Sequence, residues 1–197
     1  MKRKPIYAIL ILLVLGFTGP DTNTAIWVVM PGSNIRVNGA TNINSFACDV
    51  INYAFPDTLT CFKQVDKSQI LPMSGRLQLD VEAFDCHNKM MTNDLRKTLQ
   101  AKTYPKLIIR FISVNSFPDF KKPSRITGVV DITLSGVTKR FEIDYLFTID
   151  NQQVLHLKGD RSVNFSDFHL TPPSKLGGII KAKDQLGVEF VLNMKPL

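Results

Sequence analysis

Residues 125–150 read RITGVVDITLSGVTKRFEIDYLFTID, and the reading of the whole chain turns on them. Ile126, Gly128, Val130, Ile132 and Leu134 share one parity, and Thr127, Asp131 and Thr133 share the other, with Val129 as the exception. After Ser135-Gly136-Val137-Thr138 the alternation resumes. Phe141, Ile143, Tyr145, Phe147 and Ile149 now stand against Glu142, Asp144 and Thr148. A period of two places successive side chains on opposite faces of a sheet. A short glycine-containing connection between two such runs predicts a β-hairpin. One face of this hairpin is rich in aromatic and β-branched residues, so the functional question is what that face touches.

The same period recurs on both sides of the hairpin. Ile26 to Val29 is a short apolar start. Ser33–Gly39 reads as a first half-buried strand, and residues 39–45 as a turn-rich bend. Phe46–Phe55 is expected to return as a strand that Pro56 stops, and residues 58–73 to be irregular with a short strand near Cys61 to Val65. Residues 75–83 alternate cleanly through Leu77, Leu79 and Val81, and Leu107–Val114 reads as a strand whose Ile108 and Ile112 cover a second face beside Arg110. Short strands are expected at Val154–Leu157 and Asp160–Phe168, and a closing strand at Lys183–Met194. Between Asn88 and Ala101 the period changes. Met91, Leu95 and Leu99 fall four apart on one helical stripe, and Tyr104-Pro105 ends the segment. About eight short strands with one helix predict an all-β sandwich or barrel, and a barrel with a cap or plug suits the lone helix better than a layered α/β fold.

The chain has 197 residues, which fits one domain, and its 13 Phe and 44% hydrophobic content can fill a sizeable core. Lys2, Arg3 and Lys4 precede an apolar run from Ile6 to Phe17. That order is expected of a secretory signal peptide spanning residues 1–25, cut somewhere between 19 and 25, ahead of a domain over residues 26–197. An uncleaved N-terminal anchor is the alternative, although the run is short for a bilayer span. Setting the three basic residues aside leaves 21 of the 24 positive side chains against 17 negative ones. A mildly basic domain gives no support to nucleic-acid binding. The three Cys of an exported chain allow one intramolecular bridge and one spare thiol.

Four pieces in order make the chain resemble the YceI-like family of secreted or periplasmic lipocalin-like proteins. They are Gly39-x-Thr41-Asn42-x-x-x-Phe46, then Phe84-Asp85-Cys86-x-Asn88-x-x-Met91 leading to Leu99, Tyr104-Pro105 and Arg110-Phe111. The third is the hairpin run Gly128-x-Val130-x-Ile132-x-Leu134-x-Gly136-Val137-Thr138-Lys139, and the fourth is Ser166-Asp167-Phe168 followed by a strand from Val188. The helix departs from the family, with Met91-Thr92-Asn93-Asp94-Leu95 where an Arg-Asp-x-His-Leu run is common. The resemblance implies an eight-stranded antiparallel barrel with one short helix, exported to the periplasm or beyond. It further implies a non-enzymatic protein holding a lipid-like or isoprenoid-like amphiphile, with no cofactor and no stable membrane span after signal removal.

On this reading the barrel lining comprises Phe46, Leu79, Met91, Leu95, Ile109, Phe111, Val130, Ile132, Leu134, Phe141, Ile143, Tyr145, Phe147, Phe190 and Leu192. The same residues would equally fill a solid core, leaving a structural or interaction barrel with no ligand. The helix can cap the mouth or plug one end. Antiparallel pairing of the strand near Phe46 with the one ending near Ala83 would bring Cys48 beside Cys86, which predicts a Cys48–Cys86 disulfide and a free Cys61. His87, His156 and His169 have no metal-ligand spacing. Asp160, Ser162, Ser166, Asp167 and His169 contain hydrolase residue types, but no G-x-S-x-G elbow accompanies them, and a chance grouping is the simpler account.

Overall fold

The structure is a computed structural model that describes residues 24–50, 57–63 and 70–197. Most of the expected signal peptide, up to residue 23, and parts of two expected strands, at 51–55 and 64–65, lie outside the described residues. The strands are β1 (Thr24–Val29), β2 (Asn34–Ala40), β3 (Ser45–Val50), β4 (Thr58–Phe62), β5 (Leu71–Ser74), β6 (Arg76–Asp80) and β7 (Phe84–Asp85). Helix α1 (Lys89–Thr98) follows, then β8 (Lys106–Val114), β9 (Ser124–Leu134), β10 (Val137–Ile149) and β11 (Leu155–Asn164). A small hairpin of β12 (Ser174–Lys175) and β13 (Ile180–Lys181) precedes the closing strand β14 (Gln185–Pro196).

Several of these are halves of one longer strand. β1 and β2 both run against β14, and β5 and β6 both run against β8. With β1/β2, β3/β4 and β5/β6 each taken as one staggered strand, eight antiparallel strands close into a ring in chain order. The ring is complete because β14 pairs with β11 on one side and with β2 and β1 on the other. This is an all-β barrel, one of the two outcomes the alternation predicts, and it has the eight antiparallel strands that the family resemblance implies.

The opening hairpin is β9 and β10 in unbroken register from Leu134↔Val137 to Ser124↔Phe147. Ser135 and Gly136 both take left-handed backbone, φ 50° and 79°, as a two-residue turn between twisted strands requires. Ile126, Val130, Ile132, Ile143, Tyr145 and Phe147 are buried as the pattern indicates. On the outer face Asp131 lies opposite Arg110 of β8 and Arg140 of β10. Arg110 Nη2 donates to Asp131 Oδ2 at 2.7 Å and Arg140 Nε donates to Oδ1 at 2.7 Å, so one carboxylate ties three strands together.

Three boundaries differ from expectation. In the segment 58–73, expected to be irregular apart from a short strand near Cys61 to Val65, β4 covers 58–62 instead and β5 adds a second strand from Leu71, both extending the barrel wall. The two short strands expected around residues 154–168 are one continuous strand, β11, ending in a 3-10 turn at Phe165–Phe168. Gly159 does not break that strand. A Cβ there would sit 2.3 Å from the Phe190 ring, so the glycine makes room for a cross-strand aromatic. Ile26 to Val29 belongs to a strand that begins at Thr24, where Ala25 is already opposite Cys61.

An aromatic cluster lies at the end of the barrel away from α1. It consists of Trp27, Phe117 and Phe120, with ring centroids 5.6 to 6.4 Å apart.

The two guanidinium groups hold the Asp131 carboxyl at about 2, with Arg140 the larger influence, against an ordinary 3.8. A carboxylate depressed in the folded state contributes stability that is present above about pH 4 and is lost as pH falls toward 2. Urea unfolding of the wild type and Asp131→Asn at pH 6 and pH 2.5 should show the wild type losing more stability than the variant. Equal losses would contradict the role assigned to the carboxylate.

Candidate ligand cavity and its helix lid

Two small apolar chambers lie inside the helix-side half of the barrel. The larger has a volume of about 70 Å³, with Leu95 and Leu99 of α1 on one side and Ile35, Leu107, Leu134 and Leu186 among the strand residues around it. The second, about 20 Å³, lies against Phe111, Val130, Ile143, Tyr145 and Phe190. Ile109, Ile132, Val163 and Val188 line both, so the chambers are contiguous. Both are far below the roughly 300–1,000 Å³ of a typical ligand pocket. Accommodating a chain molecule therefore requires part of the lining to move.

The part least built into the wall is α1. Sheet pairing is interrupted beside it. β6 pairs with β8, but β3 pairs with the short β7 rather than with β6. The β3–β7 register sets Asp49 opposite Asp85 and Val50 opposite Phe84, which brings Cys48 opposite Cys86. These two cysteines are joined in a disulfide with Cα atoms 3.8 Å apart, while Cys61 is buried and unbonded. Burial pushes the Cys61 thiol up to about 11, which keeps it protonated at neutral pH.

The helix begins three residues after the disulfide half at Cys86. Asn88 caps it, its Oδ1 accepting from the Met91 N–H at 3.1 Å. Ser135 Oγ donates to the Leu99 carbonyl at 2.8 Å, and Arg96 Nη2 donates to the Phe84 carbonyl at 3.0 Å. Lys175 Nζ pairs with Asp94 at 2.8 Å. The helix is thus held by a few point contacts and by Leu95 and Leu99 rather than by a backbone ladder.

Leu95 has a further position. It lines the larger chamber from outside the strands and also lines an external groove of about 230 Å³ at the same mouth. Phe46, Met91 and Phe165 border that groove, with exposed Ile43 and Met90 at its edge. Leu95 is 5% exposed and forms the partition between groove and chamber.

Of the residues expected to line the barrel, Leu95, Ile109, Phe111, Val130, Ile132, Leu134, Ile143, Tyr145 and Phe190 border the chambers. Phe46 and Met91 face the outer groove instead. Phe141 packs against Phe168, with centroids 6.1 Å apart. Leu79, Phe147 and Leu192 are buried in the filled part of the core. Sequence reasoning missed Leu99, Val163, Phe168 and Leu186 as lining residues. It also missed Val188 in that role, although Val188 shares the parity of Phe190 in the closing strand.

Two of the polar residues considered for catalysis, Ser166 and Asp167, have local partners for their side chains. Asp167 Oδ2 accepts from the Asn164 N–H at 2.8 Å, Ser166 Oγ bonds Asp184, and His169 is the left-handed residue ending the turn. His87 Nε2 lies 2.9 Å from Asp49, whose carboxyl is lowered chiefly by Arg36. His156 bridges Asn193 and Asp150 at 2.7 and 3.1 Å. None of these side chains lines either chamber.

A closed antiparallel barrel with an interior apolar cavity and a single helix across one end defines a lipocalin-like architecture. The chain belongs to the YceI-like family: the YceI-like domain profile matches residues 35–194. Its fold is similar to that of Burkholderia cenocepacia BcnA, with TM-score 0.58 and 15% identity, covering 82% of this chain and 95% of that one. It is similar also to a polyisoprenoid binding domain from Saccharophagus degradans implicated in plant cell wall breakdown, with TM-score 0.59 and 10% identity, covering 86% of this chain and 97% of that one. Comparison with curated proteins at the sequence level returned no match.

The bridge closes a stretch with a sequence separation of 38, for which a disulfide is worth about 3–4 kcal/mol in the chain-entropy account. Replacing both Cys48 and Cys86 by Ser should lower the unfolding free energy by about that amount in denaturant titrations, and hydrogen exchange should rise first in α1. A loss below about 0.5 kcal/mol would show that the bridge does not constrain the fold.

Proposed function

We propose that the protein is an exported, non-enzymatic binding protein that holds the apolar chain of a lipid-like or isoprenoid-like molecule in the barrel. The observation that carries this reading is the wall of the larger chamber, which is made of hydrophobic side chains only and meets an external groove at Leu95. Displacement of Leu95 with α1 would merge groove and chambers into one slot, closed at the far end by Trp27, Phe117 and Phe120. Burying a few hundred Å² of chain at about 25 cal/mol/Å² supplies on the order of 10 kcal/mol gross. Ordering the chain and moving the lid return a large part of that.

The polyisoprenoid-binding description of the Saccharophagus degradans domain supports the ligand class by analogy of fold. Export is supported by the basic-then-apolar N-terminal run and by the disulfide. Cleavage ahead of Thr24 would leave β1 whole, whereas a cut after Ala25 would remove two residues that pair with β4. The small volume of the chambers favours a second reading, a filled barrel with no ligand, in which loops provide the working surface.

Native mass spectrometry of the protein purified from its own source decides between them. The binding reading expects a bound hydrophobic mass that denaturation releases. Val188→Phe, which pushes a ring into the shared wall of both chambers, should remove that mass at a stability cost of about 1–3 kcal/mol. Empty wild-type protein would leave the filled-barrel reading.

A further inference from the structure

One charged side chain interrupts the apolar lining. Leu155, Leu157, Gly159, Arg161 and Val163 share the inward parity of β11, so Arg161 stands on the face that points into the barrel. It lines the smaller chamber and is the charged residue among those lining either one. Among the described residues no carboxylate forms an ion pair with it; its guanidinium lies 6.0 Å from the centroid of the Phe141 ring.

Strand pairing stops at this point. β10 and β11 pair from Ile149↔Leu155 to Asp144↔Asp160 and then separate. Beyond that, residues 143 to 137 pair with β9 alone, and residues 161–164 pair with β14 alone. The wedge between the strands is occupied by the turn Phe165–Phe168, with Phe168 against Phe141. Arg161 therefore sits at a lateral gap with solvent on one side and the cavity on the other.

A second polar group lies deeper on the same chamber. Tyr145 is 3% exposed, and its hydroxyl has no hydrogen-bond partner. Its ring is fixed against Phe190 at 5.8 Å and Phe147 at 6.4 Å. A buried hydroxyl without a partner costs free energy that a ligand oxygen on this chamber would recover.

We infer that Arg161 receives the anionic head group of the bound amphiphile, a phosphate or a carboxylate, at the gap between β10 and β11. The inference rests on the reading of the barrel as an apolar-chain binder and adds the chemistry of the head. A guanidinium offers paired N–H donors to either anion and remains charged at every relevant pH. The Phe141 face holds the guanidinium at the gap without neutralising it. The tail would lie along Val163, Val188 and Ile132 toward Leu95, and Tyr145 would donate to an oxygen near the head.

Two matched pairs of probes test this by calorimetry: palmitate against methyl palmitate, and farnesyl phosphate against farnesol. Wild-type protein should bind the charged member of at least one pair tenfold or more tighter than the neutral member. Arg161→Gln should abolish that preference while leaving the neutral member within twofold, and Arg161→Lys should restore part of it. Unchanged thermal unfolding of both variants, whose side chain is exposed, separates head-group loss from misfolding. The pair that shows the preference identifies the head as carboxylate or phosphate. A preference that survives Arg161→Gln, or equal weakening of charged and neutral members, would overturn the Arg161 assignment and leave the cavity reading standing. Failure of all four probes to bind wild type would overturn both.

Discussion

Ring closure by β14 is the constraint on which the structure depends. Its twelve residues pair with β11 on one edge and with β2 and then β1 on the other, so the first and last strands of the barrel become neighbours. Closure satisfies edge groups that an open sheet would leave exposed and creates an inside that is distinct from the outside. Leu186, Val188, Phe190, Leu192 and Met194 then point into that interior from one continuous strand. Without β14 the alternation of the other strands would define a face but not a cavity.

The outside and inside of the wall are divided by charge. Outside, carboxylates are clamped between basic partners across strands: Asp131 by Arg110 and Arg140, and Asp49 by Arg36 and His87. Inside, apolar side chains dominate, and the polar exceptions are few and placed at the wall's weak points. Among the described residues pairing fails in two places. Between β3 and β6 the gap is bridged by the disulfide and covered by α1; between β10 and β11 it is wedged by Phe168 beside Arg161. At the other end Trp27, Phe117 and Phe120 pack on one another.

Much of this was legible in the sequence because barrel strands alternate so plainly. The hairpin at 125–150, the helix stripe Met91, Leu95 and Leu99, and the closing strand all followed from period alone. The Cys48–Cys86 bridge followed from strand direction, although the partner of β3 is the short β7 and not the long strand before it. The errors have physical causes. β11 looked like two strands because Gly159 interrupts its inward set, yet the glycine answers the Phe190 ring. Residues 58–73 read as irregular apart from one short strand because β4 and β5 are only five and four residues long. Periodicity assigns a face but not a depth, so it could not separate Ile132 and Val188, beside the chambers, from Phe147 and Leu192, in the filled core. For the same reason Phe46 and Met91 were counted inside when the mouth geometry turns them to the groove.

The central claim is that an apolar chain occupies the helix-side half of the barrel once Leu95 gives way. Methyl-resolved NMR of the protein with geranylgeraniol tests it most directly. The account expects intermolecular NOEs from the ligand to methyl groups of Ile109, Ile132 and Val188, together with shift changes at Leu95 and Leu99. NOEs confined to Ile43, Met90 and Met91 at the outer groove, with the interior methyl groups unmoved, would contradict it.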